Sequence, residues 1–140
     1  MRIIAGKHRG RRLAPLSGPA IRPSSDRLRQ SLFNILEHGK HDVQLNGARV
    51  VDVFAGTGAL GLEALSRGAE RAIFIENEPM ALDVLRQNLA LCGEDKRAEI
   101  ISVDATKPPP TQSACNFVFL DPPYYNGLAA PALAALAGKG

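Results

Sequence analysis

The run Arg49-Val50-Val51-Asp52-Val53-Phe54, followed at once by Ala55-Gly56-Thr57-Gly58-Ala59-Leu60-Gly61, constrains this chain more than any other stretch. A nearly continuous apolar strand is the mark of one covered on both sheet faces. The G-x-G-x-x-G spacing falls after that strand and before a helix, where glycines allow a tight turn and let a ligand touch the backbone. A parallel sheet served by crossover helices meets both demands.

The alternation continues downstream. A helix over about residues 59–67 ends at Gly68, and residues 71–76 form a second strand. Pro79 opens a helix that runs to Leu91, with Leu82, Leu85 and Leu89 on its buried side and Gly93 beyond. Residues 99–103 and 116–120 are predicted as the third and fourth strands. Lys107-Pro108-Pro109-Pro110 between them excludes regular helix, and residues 128–137 form a weak alanine-rich helix. Upstream, residues 2–5 and 11–14 read as a hairpin around Gly6-Lys7-His8-Arg9-Gly10. Ser24 or Ser25 caps a helix whose buried face is predicted to carry Leu28, Leu32, Phe33, Ile35 and Leu36, closed by residues 39–42. The division is a basic hairpin and helix over residues 1–46, then an α/β core over residues 47–140.

Ligands of open parallel sheets bind past the carboxyl ends of the strands, and the chemistry-bearing residues gather there. Asp52 lies in the first strand near the turn, where a carboxylate can orient a ligand's ammonium group. Glu76 ends the second strand and is placed for ribose hydroxyls. Asp104 ends the third and can accept from an adenine amine. The fourth strand runs into Asp121-Pro122-Pro123-Tyr124, a stiff loop with a carboxylate before it and a ring after it. Asp121 and the Pro122 carbonyl can accept hydrogen bonds from an exocyclic amine while Tyr124 stacks on the base. These features favour S-adenosylmethionine over a nicotinamide dinucleotide, the rival for the glycine turn. Taken singly, each carboxylate is also explained as a cap, and the Pro-Pro loop as a strand-ending turn.

Charge is unevenly spread. Residues 1–30 carry eight basic side chains against Asp26 alone, a local charge of +7, leaving −4 for the remainder and +3 for the chain. Such an arm suits a polyanion; a solvated face is the plainer alternative. Cys92 and Cys115 lack metal or redox spacing and read as buried or partly buried thiols, and His38 and His41 read as surface histidines with no metal site. No apolar run approaches a membrane span, and the first residues do not form a secretory signal. A cytoplasmic monomer is expected.

The chain resembles the class I S-adenosylmethionine-dependent methyltransferases, and more narrowly the RsmD-type enzymes that methylate the exocyclic N2 of a guanine in 16S ribosomal RNA. The likeness rests on residues 1–7 with Gly10-Arg11-Arg12-Leu13, on Arg22-Pro23-Ser24-Ser25-Asp26-Arg27-Leu28-Arg29, on Ser31-Leu32-Phe33-Asn34, on residues 52–69 and on residues 121–124. It implies a Rossmann-like, mostly parallel sheet with helices on both faces, preceded by a β-hairpin and helix. It implies that Asp52, Phe54, Gly56, Thr57, Gly58, Glu76, Asp104 and Ala105 line the cofactor site, and that Asp121, Pro122 and Tyr124 receive the base. It further implies that Lys7, Arg9, Arg11, Arg12, Arg22 and Arg27 contact 16S RNA or a small-subunit particle. Gln30 stands where the family is expected to have an acidic residue, and the class continues through about three more strands after the point where this sequence stops, so the sheet is expected to be C-terminally incomplete. Alternatives are adenine-N6 methylation of DNA and a non-catalytic RNA-binding assembly factor with a vestigial cofactor site.

Overall fold

The computed structural model describes residues 1–16, 26–38, 44–106 and 115–120. Helix α1 spans Asp26–His38, strand β1 Arg49–Val53, α2 Ala59–Ser66, β2 Arg71–Ile75, α3 Pro79–Cys92, β3 Ala98–Ile101 and β4 Phe117–Leu120; a 3₁₀ turn, Asp95–Arg97, precedes β3. All strand pairs are parallel, in the order β3-β2-β1-β4. Right-handed crossovers that step in one direction stack their helices on one face, while reversal sends the next connection across the other. Accordingly Phe33 of α1, Leu62 and Leu65 of α2 and Leu85 and Leu89 of α3 share one core with Val50, Phe74 and Phe119. The opposite face holds a smaller cluster of Val51, Val53, Ile75 and Ala105. The order reverses at β1, which lies between β2 and β4, so its carboxyl end is the topological switch point.

The hairpin forms around the Arg2–Arg12 bridge and buries Ile3 and Leu13 in the same core as Val50 and Leu62. It is fastened to α2 by backbone groups bonded to buried side chains. Glu63 accepts the Ile4 N–H at 2.9 Å and the Ala5 N–H at 3.1 Å. Ser66 donates to the Ala5 carbonyl at 2.6 Å, and its Oγ accepts the His8 N–H at 2.9 Å. Only glycine fits at position 6, where φ is +86° and an added Cβ would stand 2.0 Å from the Ser66 carbonyl oxygen. Arg67 completes the seam: it is paired with Glu63 at 2.8 Å and Glu37 at 3.4 Å, and lies 5.0 Å over the Phe33 ring.

Three local expectations change. Leu28 and Ile35 are 56% and 65% exposed, and the buried stripe of α1 is Arg29 and Phe33, flanked by Leu32 and Leu36. The inward position went to an arginine because Arg29 bonds Asp26 at 2.6 Å and the Arg2 carbonyl at 2.7 Å. Strand β1 stops at Val53, since Phe54 adopts a left-handed φ of +58° that cannot extend a strand. Strand β3 begins at Ala98, directly after an unforeseen 3₁₀ turn, and ends at Ile101, two residues short of the expectation. Ser24, Ser25, residues 39–42, 107–110 and 128–137 lie outside the described residues.

Candidate active site at the switch point

The turn after β1 is built from borrowed side chains. Gly58 caps α2 with φ +82° and offers no side chain to the helix's free N–H groups. Asp52, fully buried in β1 itself, supplies the missing acceptor: its Oδ2 takes the Gly61 N–H at 3.0 Å. The carboxylate expected to meet a ligand's ammonium group is therefore engaged in holding the helix N-terminus in place. A Cβ on Gly58 would stand 2.4 Å from Leu85 Cδ1, so the turn packs directly on α3.

Glu76 plays the matching part from β2. Its Oε1 accepts the Gly56 N–H at 2.8 Å, while Oε2 accepts the N–H groups of Asn77 at 3.2 Å and Glu78 at 3.1 Å. Backbone bonds from Ala55 N–H to the Ile75 carbonyl and from Glu76 N–H to the Ile101 carbonyl tie the exits of β1, β2 and β3 into one ledge. Asp104 follows on that ledge, exposed, with Oδ1 holding the Thr106 N–H and hydroxyl at 2.9 and 2.7 Å; Ala105 beside it is buried. Phe54 is half-buried in a conformation that costs a non-glycine residue about 1–2 kcal/mol, and such strain clusters at functional sites. The structure thus brings Asp52, Phe54, Gly56, Thr57, Gly58, Glu76 and Asp104 to one sheet edge. Leu120, in register with Val53, ends at the same edge; Asp121, Pro122 and Tyr124 lie outside the described residues.

The basic arm is only partly free. Lys7, Arg9, Arg12 and Arg27 are exposed. Arg11, exposed too, donates to the Leu91 carbonyl in the last turn of α3, where a cation suits the helix dipole. Arg22 lies outside the described residues. Met1, Arg2, Arg12, Leu13, Pro15 and Asp26 line a groove of about 590 Å³. Partial burial raises the Asp26 carboxyl, but the hydrogen bond and charge of Arg29 outweigh it, so its pKa falls below the ordinary aspartate value. Among the described residues no cluster of three His, Cys, Asp or Glu side chains is arranged to hold a metal, and no helix is long and apolar enough to cross a membrane.

The comparisons with known proteins agree with this geometry. The family model described as conserved hypothetical protein 95 matches residues 1–140. The ribosomal RNA small subunit methyltransferase D of Haemophilus influenzae is 40% identical over 140 residues, covering 97% of this chain and 70% of that protein. The chain belongs to the RsmD family. The Escherichia coli member is 40% identical over 128 residues, which is 91% of this chain and 62% of that protein. A solved Escherichia coli protein, provisionally assigned as a methyltransferase, superposes with a TM-score of 0.80 at 36% identity, covering all of this chain and 73% of that one. The fold is the Rossmann-like sheet of the class I methyltransferases.

Two completely buried polar residues with structural roles were not anticipated in this RsmD-family chain: Asn88 at the glycine turn and Glu63 in the hairpin seam. Their signal was a polar side chain on an otherwise apolar helix face, which in a packed domain demands a partner.

Proposed function

We propose that this chain serves an enzyme that transfers a methyl group from S-adenosylmethionine to the exocyclic N2 of a guanine in 16S ribosomal RNA, working in the cytoplasm as a monomer on free RNA or a small-subunit particle. The supporting observation is the glycine turn at the switch point, clipped by Glu76 and Asp52, in a chain whose relatives are named as small-subunit ribosomal RNA methyltransferases.

The residues present fit this cofactor. Glu76 keeps one lone pair, on Oε1, for a ribose hydroxyl beyond the three N–H groups it accepts. Gly56 takes a left-handed φ of +57°, and the place of a Cβ there lies at ordinary contact distance, 3.7 Å, from Leu16 Cδ1. Asp104 is exposed at the ledge for an adenine amine. When bound, S-adenosylmethionine supplies an electrophilic methyl on a sulfonium.

The chain's own work is positioning, which can supply up to roughly 7–11 kcal/mol of a barrier. The guanine amine is a poor nucleophile because its lone pair is delocalised into the ring. Asp121 and the Pro122 carbonyl accept its hydrogens and draw nitrogen toward tetrahedral geometry, Tyr124 stacks on the base, and Asp121 or water takes the released proton. Residues 1–46 act as the RNA-contacting extension, with Lys7, Arg9, Arg11, Arg12, Arg22 and Arg27 meeting phosphates, and residues 47–140 as the cofactor-binding core.

Transfer of labelled methyl to free 16S RNA and to small-subunit particles, followed by nucleoside mass analysis, tests the reading. N2-methylguanosine is expected. N6-methyladenine, or no transfer to either substrate, refutes it. Asp121→Ala is expected to lower kcat by roughly 100-fold or more while S-adenosylmethionine still binds.

A further inference from the structure

Asn88 sits on the apolar face of α3 between Leu85 and Leu89, with no exposed surface. A buried amide there must satisfy two donors and an acceptor. Its Nδ2 donates to the Thr57 carbonyl at 2.9 Å and to the Ala14 carbonyl at 3.0 Å; its Oδ1 accepts the Ala14 N–H at 2.7 Å. Two carbonyls and one N–H around it fix which end of the amide is which. One side chain thereby joins α3, the glycine turn and the segment leaving the basic hairpin.

Other contacts close the same junction. The Thr57 hydroxyl donates to Met1 Sδ at 3.5 Å, and Leu16 Cδ1 lies 3.7 Å from the place of a Cβ on Gly56. Thr57 itself stands between two glycines of positive φ, so the turn has little intrinsic stiffness and depends on what grips its carbonyl.

We propose that Asn88 is the positioning residue of the cofactor turn, tying the Thr57 peptide to the segment that leaves the hairpin so that residues 14–16 form the turn's outer wall. The inference takes its ligand from the methyltransferase reading above. An apolar residue at position 88 would fill the volume but leave the Thr57 carbonyl and both Ala14 groups unpaired. The turn would then sample other conformations while the sheet beneath it stayed intact.

The test compares Asn88→Ala and Asn88→Asp with Ser66→Ala, which removes buried hydrogen bonds from the hairpin seam rather than from the turn. Asn88→Asp keeps the shape and the acceptor for Ala14 but loses both donations, so it carries the experiment if Asn88→Ala does not fold. Without ligand, amide exchange across residues 55–60 is expected to rise about tenfold or more in the Asn88 variants and to stay within about twofold in Ser66→Ala. Calorimetric titration should show the Kd for S-adenosylmethionine rising about tenfold in the Asn88 variants and within about threefold of wild type in Ser66→Ala. Unchanged exchange at the turn, or equal loosening in Ser66→Ala, overturns the proposal. Wild-type protein that binds no S-adenosylmethionine overturns the proposed function instead, and the exchange contrast then still decides whether Asn88 holds the turn.

Discussion

The two ends of α2 are held by the same device for opposite purposes. At its carboxyl end, Glu63, Ser66 and Arg67 close a seam in which the hairpin's backbone groups meet buried side chains. At its amino end, Asp52, Glu76 and Asn88 reach in from three other elements to hold a turn with no side-chain cap of its own. The seam is filled: a Cβ at Gly6 meets backbone oxygen at 2.0 Å. The turn is gripped from below and behind, and at Gly56 the place of a Cβ meets only a side-chain end, Leu16 Cδ1, at an ordinary 3.7 Å. One end is locked shut; the other, on the proposed function, is the cofactor's seat.

The sharpest way to break the seam is Glu63→Ala. It strips the acceptor from two N–H groups and leaves Arg67 buried beside Glu37 alone. Removing one partner of a buried pair costs about 3–5 kcal/mol, and urea unfolding should show a loss of that size with the slope unchanged. Gly6→Ala comes next, at about 3 kcal/mol, because neither the left-handed φ nor the Ser66 carbonyl can yield; protease cleavage within residues 1–16 should report the released hairpin. Gly58→Ala strikes the turn instead. Its clash is with a side-chain end rather than backbone, Leu85 Cδ1, so repacking of that buried leucine adds to a backbone strain of about 1–2 kcal/mol, a smaller loss than at Gly6. Its loss of S-adenosylmethionine affinity in a calorimetric titration should exceed that of Gly6→Ala, reversing their order in stability.

The smallest effect is at Asp26, whose pairing with Arg29 flanks the seam. Its side chain is 39% exposed, so solvent screening limits the contribution to less than about 1 kcal/mol. Because the folded-state pKa is lowered, the contribution is present above the ordinary aspartate value and is lost as pH falls through the folded value. Asp26→Asn should therefore be slightly less stable than wild type at neutral pH, with the two melting curves converging in strong acid.

What was legible in the sequence is what repeats locally. The apolar run into G-x-G-x-x-G announced β1, the turn and α2, and the spacing of Leu82, Leu85 and Leu89 gave the buried face of α3. Proline at 79 and glycine at 93 marked its ends, as the helix shows. Parallel pairing followed from alternation alone. What escaped depends on partners far away in the chain. Periodicity placed Leu28 and Ile35 inside α1 because it cannot know that Arg29 finds Asp26 and a backbone carbonyl. Nor can it show that Glu63 is needed by Ile4, or Asn88 by Ala14 and Thr57. Asp52 was correctly singled out as a carboxylate near the turn, but spacing could not reveal that Gly61 already holds one of its oxygens.

The seam also sets an order of events during synthesis. Ile4 and Ala5 are made well before the carboxylate that completes them, which lies 59 and 58 positions later. The arginine-rich arm therefore emerges long before its seat exists, and contacts of such sequence separation form late because chain entropy must be lost before they repay it. Until α2 has emerged and folded, this arm is a loose polycation travelling beside the ribosome's own RNA.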